Sequence, residues 1–331
     1  MIPELFKLPF INVTVKSYGV MMVVGFLFAV LLMRNMARRG SQDPDKITNI
    51  ALYALITGVI GARIFYVFHN FDQFRGNLMQ VFALWEGGLE FVGGVILAIV
   101  FVVAYVFIQK VSALRYFDIL VVGLMLGLAF GRIGCFLFGC CFGKPTECPV
   151  GVSFPYRSPS YYSQVYPDQD RDRQKPRLEL PNEYFGHYSP DGKWVPATEF
   201  EKYHSALKPK KHLTDHQHQQ VTQGKYQALP VHPTQLYSSA NAFLLCGLLY
   251  LFWRKVGLYR PGSTFSLMFI AYGTTRFMLE TIRDDNPFEH AWWAIYKGGT
   301  ISQNIGIYMV IVGLICFAVF IRRPKELPER K

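Results

Sequence analysis

One stretch of the sequence, residues 91–109, reads FVGGVILAIVFVVAYVFIQ and contains no charged side chain. A helix of this length crosses roughly 30 Å of hydrocarbon, so the stretch predicts a transmembrane helix. Residues 226–253 and 298–321 also lack charge and predict two more. Runs that carry an occasional charge extend the prediction to seven spans, the other four being residues 17–33, 47–69, 117–138 and 262–282.

The composition agrees with a membrane protein. Of the 331 residues, 51% are hydrophobic and only 17% are charged, against about 25% charged in soluble proteins. The formal charge of +11 raises the question of nucleic-acid binding. However, the basic residues form short clusters between the apolar runs, which is typical of membrane topology. The sequence therefore predicts an all-α polytopic integral membrane protein with no nucleic-acid partner.

The basic clusters also predict the orientation of the spans. They follow spans one, three, five and seven, with Arg38, Lys110, Arg254 and Arg322 as members. By the positive-inside rule these loops are cytoplasmic, so the amino terminus lies outside and the carboxyl terminus inside. Residues 144–231 then form an external, loop-rich head, inserted between membrane regions at residues 1–143 and 232–331.

Three histidines in that head, His212, His216 and His218, raise the possibility of a metal site, since histidines four residues apart face one way on a helix. Their neighbours are mainly lysine and glutamine, as on a solvated surface. We favour the surface interpretation and predict no metal and no cofactor.

Ionisable residues inside the spans are more informative, because an unpaired charge in a bilayer costs several kcal/mol and marks a functional candidate. With the predicted orientation, Arg63, Arg132, Arg276 and Glu280 all fall in the outer half of the membrane. The inner half has almost no polar residues, which argues against a proton or ion path.

The sixth span gives the clearest local geometry. Tyr272, Arg276, Glu280 and Arg283 are spaced by four, four and three residues, which places them on one helical face. Glu280 can pair with either arginine, and a purely structural ion-pair network is one interpretation. One carboxylate cannot neutralise two arginines, however, so one positive charge remains uncompensated. A guanidinium binds phosphate through two hydrogen bonds. We favour a site for a phospholipid head group of the outer leaflet.

Two further features lie at the end of the fourth span. Gly139 and Gly143 either pack helices closely or bring backbone N–H groups to a phosphate. Cys140, Cys141 and Cys148 suggest a membrane thiol–disulfide oxidoreductase as an alternative function. A Cys-x-x-Cys pair is missing, and a structural disulfide from Cys148 to Cys140 or Cys141 is the favoured interpretation.

Six motifs in the same order along the chain carry a family resemblance. They are Tyr18-Gly19, Gly61-Ala62-Arg63, Trp85-Glu86-Gly87-Gly88 with Gly93-Gly94, Gly131-Arg132-Ile133-Gly134, His232-Pro233-Thr234-Gln235-Leu236-Tyr237, and Tyr272-Gly273 through Arg276, Glu280 and Arg283. In these motifs the sequence resembles the bacterial phosphatidylglycerol:prolipoprotein diacylglyceryl transferases. The resemblance implies a seven-span enzyme of the inner membrane that needs no cofactor. Its partners would be phosphatidylglycerol, a prolipoprotein lipobox peptide and membrane lipids.

The resemblance also implies roles for single residues. Arg132 would hold the phosphatidylglycerol head group, Arg276 would stabilise the departing phosphate, and Glu280 would position Arg276. The remaining expected members are Tyr272 and Glu90 as catalytic residues, and Arg63, Tyr18, Tyr237, His232 and Arg283 as lipid-binding residues.

One departure from the family pattern concerns the base that activates the thiol. The family has a histidine immediately before the glycine pair of the third span, whereas this chain has Val92. Glu90 or His69 could replace it, or the cationic pocket could stabilise a thiolate without a base. A lipid-binding or lipid-moving protein without catalytic activity is the remaining alternative.

Overall fold

The computed structural model describes residues 4–7, 14–75, 78–83 and 87–326. Within these residues the chain is mostly helical, with short strands near the amino terminus and in the middle. The helices are α1 Ser17–Arg39, α2 Pro44–His69, α3 Phe71–Phe74, α4 Phe91–Ile108, α5 Ala113–Phe138, α6 Pro159–Val165, α7 Asp215–Thr222, α8 Thr234–Phe252, α9 Ser263–Glu280 and α10 Ile301–Ile321. The strands are β1 Glu4–Lys7, β2 Thr14–Lys16, β3 Phe185–Tyr188, β4 Trp194–Pro196 and β5 Ala206–Leu207.

Six helical segments of the described chain are long and apolar enough to cross a membrane. They are α1, α2, α4, α5, the segment 234–257 that begins with α8, and α10. The chain is therefore a polytopic membrane protein. The remaining predicted span, the sixth along the chain, corresponds to α9. This helix has 18 residues but includes Arg276 and Glu280, and it is more polar than the six candidate segments. The fifth predicted span corresponds to α8, which begins at Thr234, eight residues after the start of the charge-free run.

The chain divides into two compact units. The first contains residues 1–25, 125–245 and 268–314, and the second contains residues 26–124, 246–267 and 315–331. Both units draw on several separate stretches of chain. The three consecutive domains expected from the sequence remain a prediction.

Residues 144–231 belong to the first unit and contain its non-membrane elements. Strands β4, β3 and β5 form an antiparallel sheet in that order, with Gly186 opposite Pro196 and Ala206. Beside the sheet lies a buried, largely aromatic core, which includes Tyr161, Tyr184, Phe185 and Leu207. This segment therefore has a hydrophobic core of its own, although most of its residues lie outside helices and strands.

In the second unit, glycines allow α2 and α4 to pack closely. A Cβ atom on Gly61 would lie 2.5 Å from the backbone oxygen of Gly93, and one on Gly94 would lie 2.8 Å from that of Gly58. Small residues at such contacts let membrane helices approach each other. Gly61, Gly93 and Gly94 of the second and third family motifs are thus explained by helix packing.

A buried charge in the second unit has a structural explanation. Asp118 of α5 is fully buried and accepts hydrogen bonds from the backbone N–H groups of Gly262 and Phe265, at 2.8 and 2.7 Å. Unpaired N–H groups and the helix dipole at a helix amino terminus favour a carboxylate. Asp118 therefore caps the start of α9.

Candidate active site

The ion pairs of α9 form the centre of the candidate site in the first unit. Nη1 of Arg276 lies 2.8 Å from Oε2 of Glu280, and Nε of Arg283 lies 3.7 Å from the same oxygen. The side chain of Glu280 is completely buried. The pairing predicted from the spacing of these residues is confirmed.

Hydrogen bonds from outside α9 hold the Glu280 carboxylate in place. Its Oε1 accepts from the amide of Asn286 and from the hydroxyl of Thr300, the latter at 3.1 Å. Ser302, at the start of α10, accepts a 2.8 Å hydrogen bond from Nη2 of Arg276. Because both partners of the Arg276–Glu280 pair have further contacts, the guanidinium of Arg276 has a fixed orientation.

A second carboxylate balances Arg283. Asp285 accepts two hydrogen bonds from the Arg283 guanidinium, at 2.9 and 2.8 Å, and the side chain of Arg283 is only 4% exposed. Burial disfavours the charge of Arg283, but the carboxylates of Asp285 and Glu280 outweigh it and raise the pKa of Arg283 above its usual value. Arg283 is therefore a charged, buried residue whose guanidinium pairs with Asp285 and Glu280.

Arg132 of α5 differs from both of these arginines. It forms no hydrogen bond or ion pair with any residue in the described ranges, and it lines a small pocket together with Arg276. The complete lining of this pocket is Leu128, Arg132, Ser238, Asn241, Tyr272, Arg276 and Leu279. The site thus contains three positive charges, on Arg132, Arg276 and Arg283, and two negative charges, on Glu280 and Asp285. Because Arg276 and Arg283 are paired, the uncompensated positive charge is that of Arg132.

The aromatic residues predicted for the site lie at different distances from this pocket. Tyr272 lines it directly. Tyr18 is partly exposed and packs against Gly134, which is two residues after Arg132 on α5. Tyr237 and His232 contact each other, with ring centroids 6.2 Å apart, and neither lines the pocket.

The loops after α5 and α9 are joined by backbone hydrogen bonds. Gly143 and Arg283 form an antiparallel bridge, and the N–H of Lys144 donates to the carbonyl of Ile282 at 2.9 Å. The same loop after α5 is held by the start of α8, where Thr234 and Gln235 donate to the carbonyls of Cys141 and Cys140, each at 2.7 Å. The polar residues of the His232–Tyr237 motif therefore fix this loop.

A buried acidic residue anchors the loop after α9 to residues 144–231. Asp284 is 2% exposed and accepts hydrogen bonds from the guanidinium of Arg177. Arg171 and Arg173 lie 3.6 and 3.8 Å from the same carboxylate. Since Asp284 directly follows Arg283, this cluster fixes the backbone at the edge of the site.

Arg63, in the second unit, has a different environment from the one predicted. Its guanidinium donates to four backbone carbonyls, those of Gln80, Val81, Gly87 and Gly88, at 2.6 to 3.0 Å. A guanidinium has five N–H donors, so at most one is left for a phosphate. The geometry favours a structural role for Arg63. Trp85 and Glu86, which precede these glycines in the family motif, lie outside the described residues.

The two candidate bases, also in the second unit, are hydrogen-bonded to each other. Nδ1 of His69 lies 2.7 Å from Oε2 of Glu90. Glu90 immediately precedes α4, and the family's histidine position, Val92, is 56% exposed on its first turn. The chain therefore offers a paired carboxylate and imidazole near this position.

Two expectations about the end of α5 are wrong. The N–H groups of Gly139 and Gly143 donate to the carbonyls of Cys135 and His232, so they do not form a cradle for phosphate. All six cysteines of the chain are free, and no disulfide joins Cys148 to Cys140 or Cys141. Cys140 and Cys141 lie beside Cys135 instead.

The histidines of residues 144–231 do not come together as metal ligands. Among the described residues, the only group of three or more histidine, cysteine or acidic side chains with converging ligand atoms is Cys135, Cys140 and Cys141. His216 and His218 lie on α7, and His212 precedes it with its ring against Tyr188. The surface interpretation is consistent with this arrangement.

Sequence reasoning missed several residues that contact the site. Asn241 and Ser238 line the pocket from α8, at spacings of seven and four residues from Thr234, so the helical period of the motif could have indicated them. Asn286 and Thr300 bind Glu280 of α9, and Asp285 binds Arg283 in the loop after it. These three residues lie in a loop without periodicity, and nothing in the sequence pattern indicated them.

Comparison with known proteins shows the family of the chain. Residues 3–319 match the family model described as prolipoprotein diacylglyceryl transferase. A phosphatidylglycerol–prolipoprotein diacylglyceryl transferase of Clostridium tetani is 26% identical over 317 residues, covering 96% of this chain and 97% of that protein. Proteins of the same name from Burkholderia cenocepacia and Buchnera aphidicola are 29% and 30% identical, and the matches cover 93% and 92% of this chain and 92% and 91% of theirs. The chain belongs to the prolipoprotein diacylglyceryl transferase family.

Proposed function

We propose that the pocket between α5, α8 and α9 is where this protein transfers the diacylglyceryl group of phosphatidylglycerol to a prolipoprotein. The family match over nearly the whole chain supports the transferase activity in the bacterial inner membrane. One observation supports the location of the reaction. Arg132 has no partner among the described residues and lines a pocket together with Arg276, which gives that pocket an uncompensated positive charge suited to a phosphate.

The reaction requires a nucleophile and a leaving group. The thiolate of the lipobox cysteine attacks the glyceryl carbon that bears the phosphate, and a carbon–sulfur bond forms as the carbon–oxygen bond breaks. Glycerol phosphate departs with the bonding electrons, and the thiol proton passes to a base or to water. Negative charge therefore grows on the phosphate in the transition state, where fixed cations are most effective.

Arg132 and Arg276 supply these cations in the proposed mechanism. Among the described residues the Arg132 guanidinium has no hydrogen-bond or ion-pair partner, so it binds the phosphate of the incoming lipid. Arg276 is held by Glu280 and Ser302 and stabilises the leaving phosphate from that fixed position. Glu280 and Asp285 neutralise the charges of Arg276 and Arg283, because each carboxylate pairs with one of these arginines.

The other residues contribute to binding. Tyr272 lines the pocket and contacts the head group. Tyr18, Tyr237 and His232 extend the lipid-binding surface beyond the pocket, and Arg283 supports it as a paired charge. Arg63 is left out of this proposal, because its donors are engaged by backbone carbonyls.

The remaining step of the mechanism is the loss of the proton from the lipobox thiol. A cationic site lowers the pKa of an incoming thiol, since nearby arginines stabilise the thiolate. We favour activation by this field, with Glu90 and His69 as a weaker secondary acceptor pair.

The proposed arrangement in the membrane places the site near the outer surface. The chain would cross seven times, with α9 as the sixth span, the amino terminus outside and the carboxyl terminus in the cytoplasm. The basic residues Arg38 and Arg39 at the end of α1 support this orientation. Residues 144–231 would then lie outside, on the same side as the lipobox peptide.

Transfer by the purified full-length protein tests the function. The protein is reconstituted in vesicles that contain phosphatidylglycerol and is given a synthetic lipobox peptide. We expect the peptide to gain the mass of one diacylglyceryl group, with release of an equal amount of glycerol phosphate. Vesicles of phosphatidylcholine alone serve as the matched control and should give no product.

The same assay separates the alternatives. If phosphatidylglycerol binds to the protein but neither product appears, the non-catalytic lipid-binding function replaces the transferase. If the peptide gains mass only through disulfide exchange, which a reductant reverses, the oxidoreductase function replaces it. A lipobox peptide with serine in place of cysteine should not react, because the thioether requires the thiol.

A further inference from the structure

The three cysteines at the end of α5 form a cluster to which the proposed transfer mechanism assigns no role. The sulfur atoms of Cys135, Cys140 and Cys141 all lie within 4.8 Å of one another. All three side chains are partly buried and free of disulfides. A single disulfide needs only two thiols, so the third is not explained by a crosslink.

The fold holds the three residues together through specific contacts. Cys135 lies on the last turn of α5, and Gly139 ends the helix with a positive φ of 86°. Cys141 has a φ of 58°, in the left-handed region that costs a non-glycine residue roughly 1–2 kcal/mol. Hydrogen bonds from Thr234 and Gln235 to the carbonyls of Cys141 and Cys140 stabilise this conformation.

The ligand set indicates the type of ion that would bind. Thiolates are soft ligands that select Cu(I) and Zn(II) among the common metal ions. Zn(II) takes four ligands, and in a structural site all four come from the protein. Within the described residues no histidine or acidic side chain joins the three sulfurs. A site with three sulfurs and no hard ligand therefore fits Cu(I) better than Zn(II).

The surrounding charges favour thiolates at this position. Arg132, whose charge is not compensated by any carboxylate of the described residues, lies three residues before Cys135 and on the same side of α5. One Cu(I) with three thiolates has a net charge of minus two. Arg132 would offset part of that charge, whereas Arg283 is already paired with Asp285.

We propose that Cys135, Cys140 and Cys141 form a binding site for Cu(I), with one ion held by the three sulfur atoms. Each thiol loses its proton when it coordinates, and no electron is transferred. The proposal does not depend on the transfer activity, because it rests on the position of the three sulfurs alone.

Binding of Cu(I) to the purified full-length protein tests the proposal. The protein is kept reduced and anaerobic in detergent, and Cu(I) is supplied from a colorimetric Cu(I) chelator that competes for it. We expect one Cu(I) per chain. Cys135→Ser, Cys140→Ser and Cys141→Ser should each weaken binding by at least about tenfold, the smallest loss usual even for changes in outer-shell partners.

The control variant is Cys148→Ser, which changes an exposed cysteine that lies later in the same loop and outside the cluster. It should bind Cu(I) as the unchanged protein does. A binding curve for the triple variant C135S/C140S/C141S that matches the unchanged protein would overturn the proposal, as would the absence of Cu(I) uptake by the reduced protein.

A second measurement on the unchanged protein guards against variants that fail to fold. The cysteines are alkylated with and without Cu(I), and each labelled position is identified by mass spectrometry. We expect Cu(I) to protect Cys135, Cys140 and Cys141 and to leave Cys148 reactive. Equal labelling of all four with bound Cu(I) would contradict the site.

Discussion

Two arginines on membrane-spanning helices, Arg63 and Arg132, have opposite surroundings. The guanidinium of Arg63 donates to four backbone carbonyls, whereas that of Arg132 has no hydrogen-bond or ion-pair partner in the described part of the chain and lines a pocket. Both belong to motifs of the same family, and both appear equivalent in the sequence. From this difference we infer a lipid-binding role for Arg132 and a structural role for Arg63.

The largest expected effect on transfer comes from the two arginines that line the pocket. Arg132→Ala and Arg276→Ala should each lower kcat/KM by about 10²–10³-fold or more, as loss of one fixed donor to a developing anion does. Arg→Lys at either position should recover little, because the two parallel hydrogen bonds are lost. Steady-state release of glycerol phosphate, at equal amounts of folded protein, measures the effect.

The control for these variants is Arg75→Ala, since Arg75 is exposed and its ion-pair partner among the described residues is the exposed Asp72. Its activity should match that of the unchanged protein. Unchanged kcat/KM in Arg132→Ala would refute the role of Arg132, and would remove the distinction from Arg63.

The second expected effect concerns Glu280, which fixes one of these donors. Glu280→Gln keeps an oxygen for Asn286 and Thr300 but removes the charge that holds Arg276. We expect kcat to fall by about 10–100-fold, less than for loss of the arginine, since a fixed donor contributes about 10²–10³. KM for phosphatidylglycerol should change less than kcat, because Arg132 is untouched.

A comparison with Asp285→Asn sharpens this test. Asp285 pairs with Arg283, which does not line the pocket, so the variant should lose less activity than Glu280→Gln. If both variants lose activity equally, the two carboxylates act only through the net charge, and the positioning role of Glu280 is wrong.

The sequence predicted the parts of this site that depend on short-range order. Three charge-free runs and three of the four runs that allow an occasional charge located six helices that the structure bears out as candidate spans. The spacing of Arg276, Glu280 and Arg283 predicted their pairing. Both inferences use only hydrophobicity and the period of a helix. The contacts of Glu280 with Thr300, and of Arg63 with Gly87 and Gly88, join separate segments, and no local pattern specifies them.

The same limit explains the wrong disulfide. Cys148 is close in sequence to Cys140 and Cys141, and spacing alone made it the natural partner. The turn at Gly139 instead directs the two thiols back to Cys135, on the helix that precedes it. The direction of a turn depends on contacts from α8, which spacing does not report.

The third expected effect on transfer is small and concerns the base. Glu90→Gln and His69→Ala should each keep activity within about a factor of ten, against the 10²–10⁴ lost with a general base. The reason is that the cationic pocket itself favours the thiolate. A pH profile of kcat/KM for both variants, with phosphatidylglycerol binding measured in parallel, checks the result. A thousandfold loss with intact lipid binding would identify the altered residue as the base.

The smallest expected effect on transfer belongs to Arg63. Arg63→Ala leaves the carbonyls of Gln80, Val81, Gly87 and Gly88 without this donor, and a hydrogen bond to a charged group contributes about 1.5–3 kcal/mol. The free energy of unfolding should therefore fall by several kcal/mol, seen as a lower midpoint of thermal unfolding in detergent. Transfer per folded molecule should stay within about threefold, because no donor to the phosphate is lost. Arg132→Ala should give the reverse, with normal unfolding and little transfer. If Arg63→Ala instead unfolds normally and loses transfer as Arg132→Ala does, then Arg63 binds the lipid, and its bonds to the four carbonyls do not decide its role.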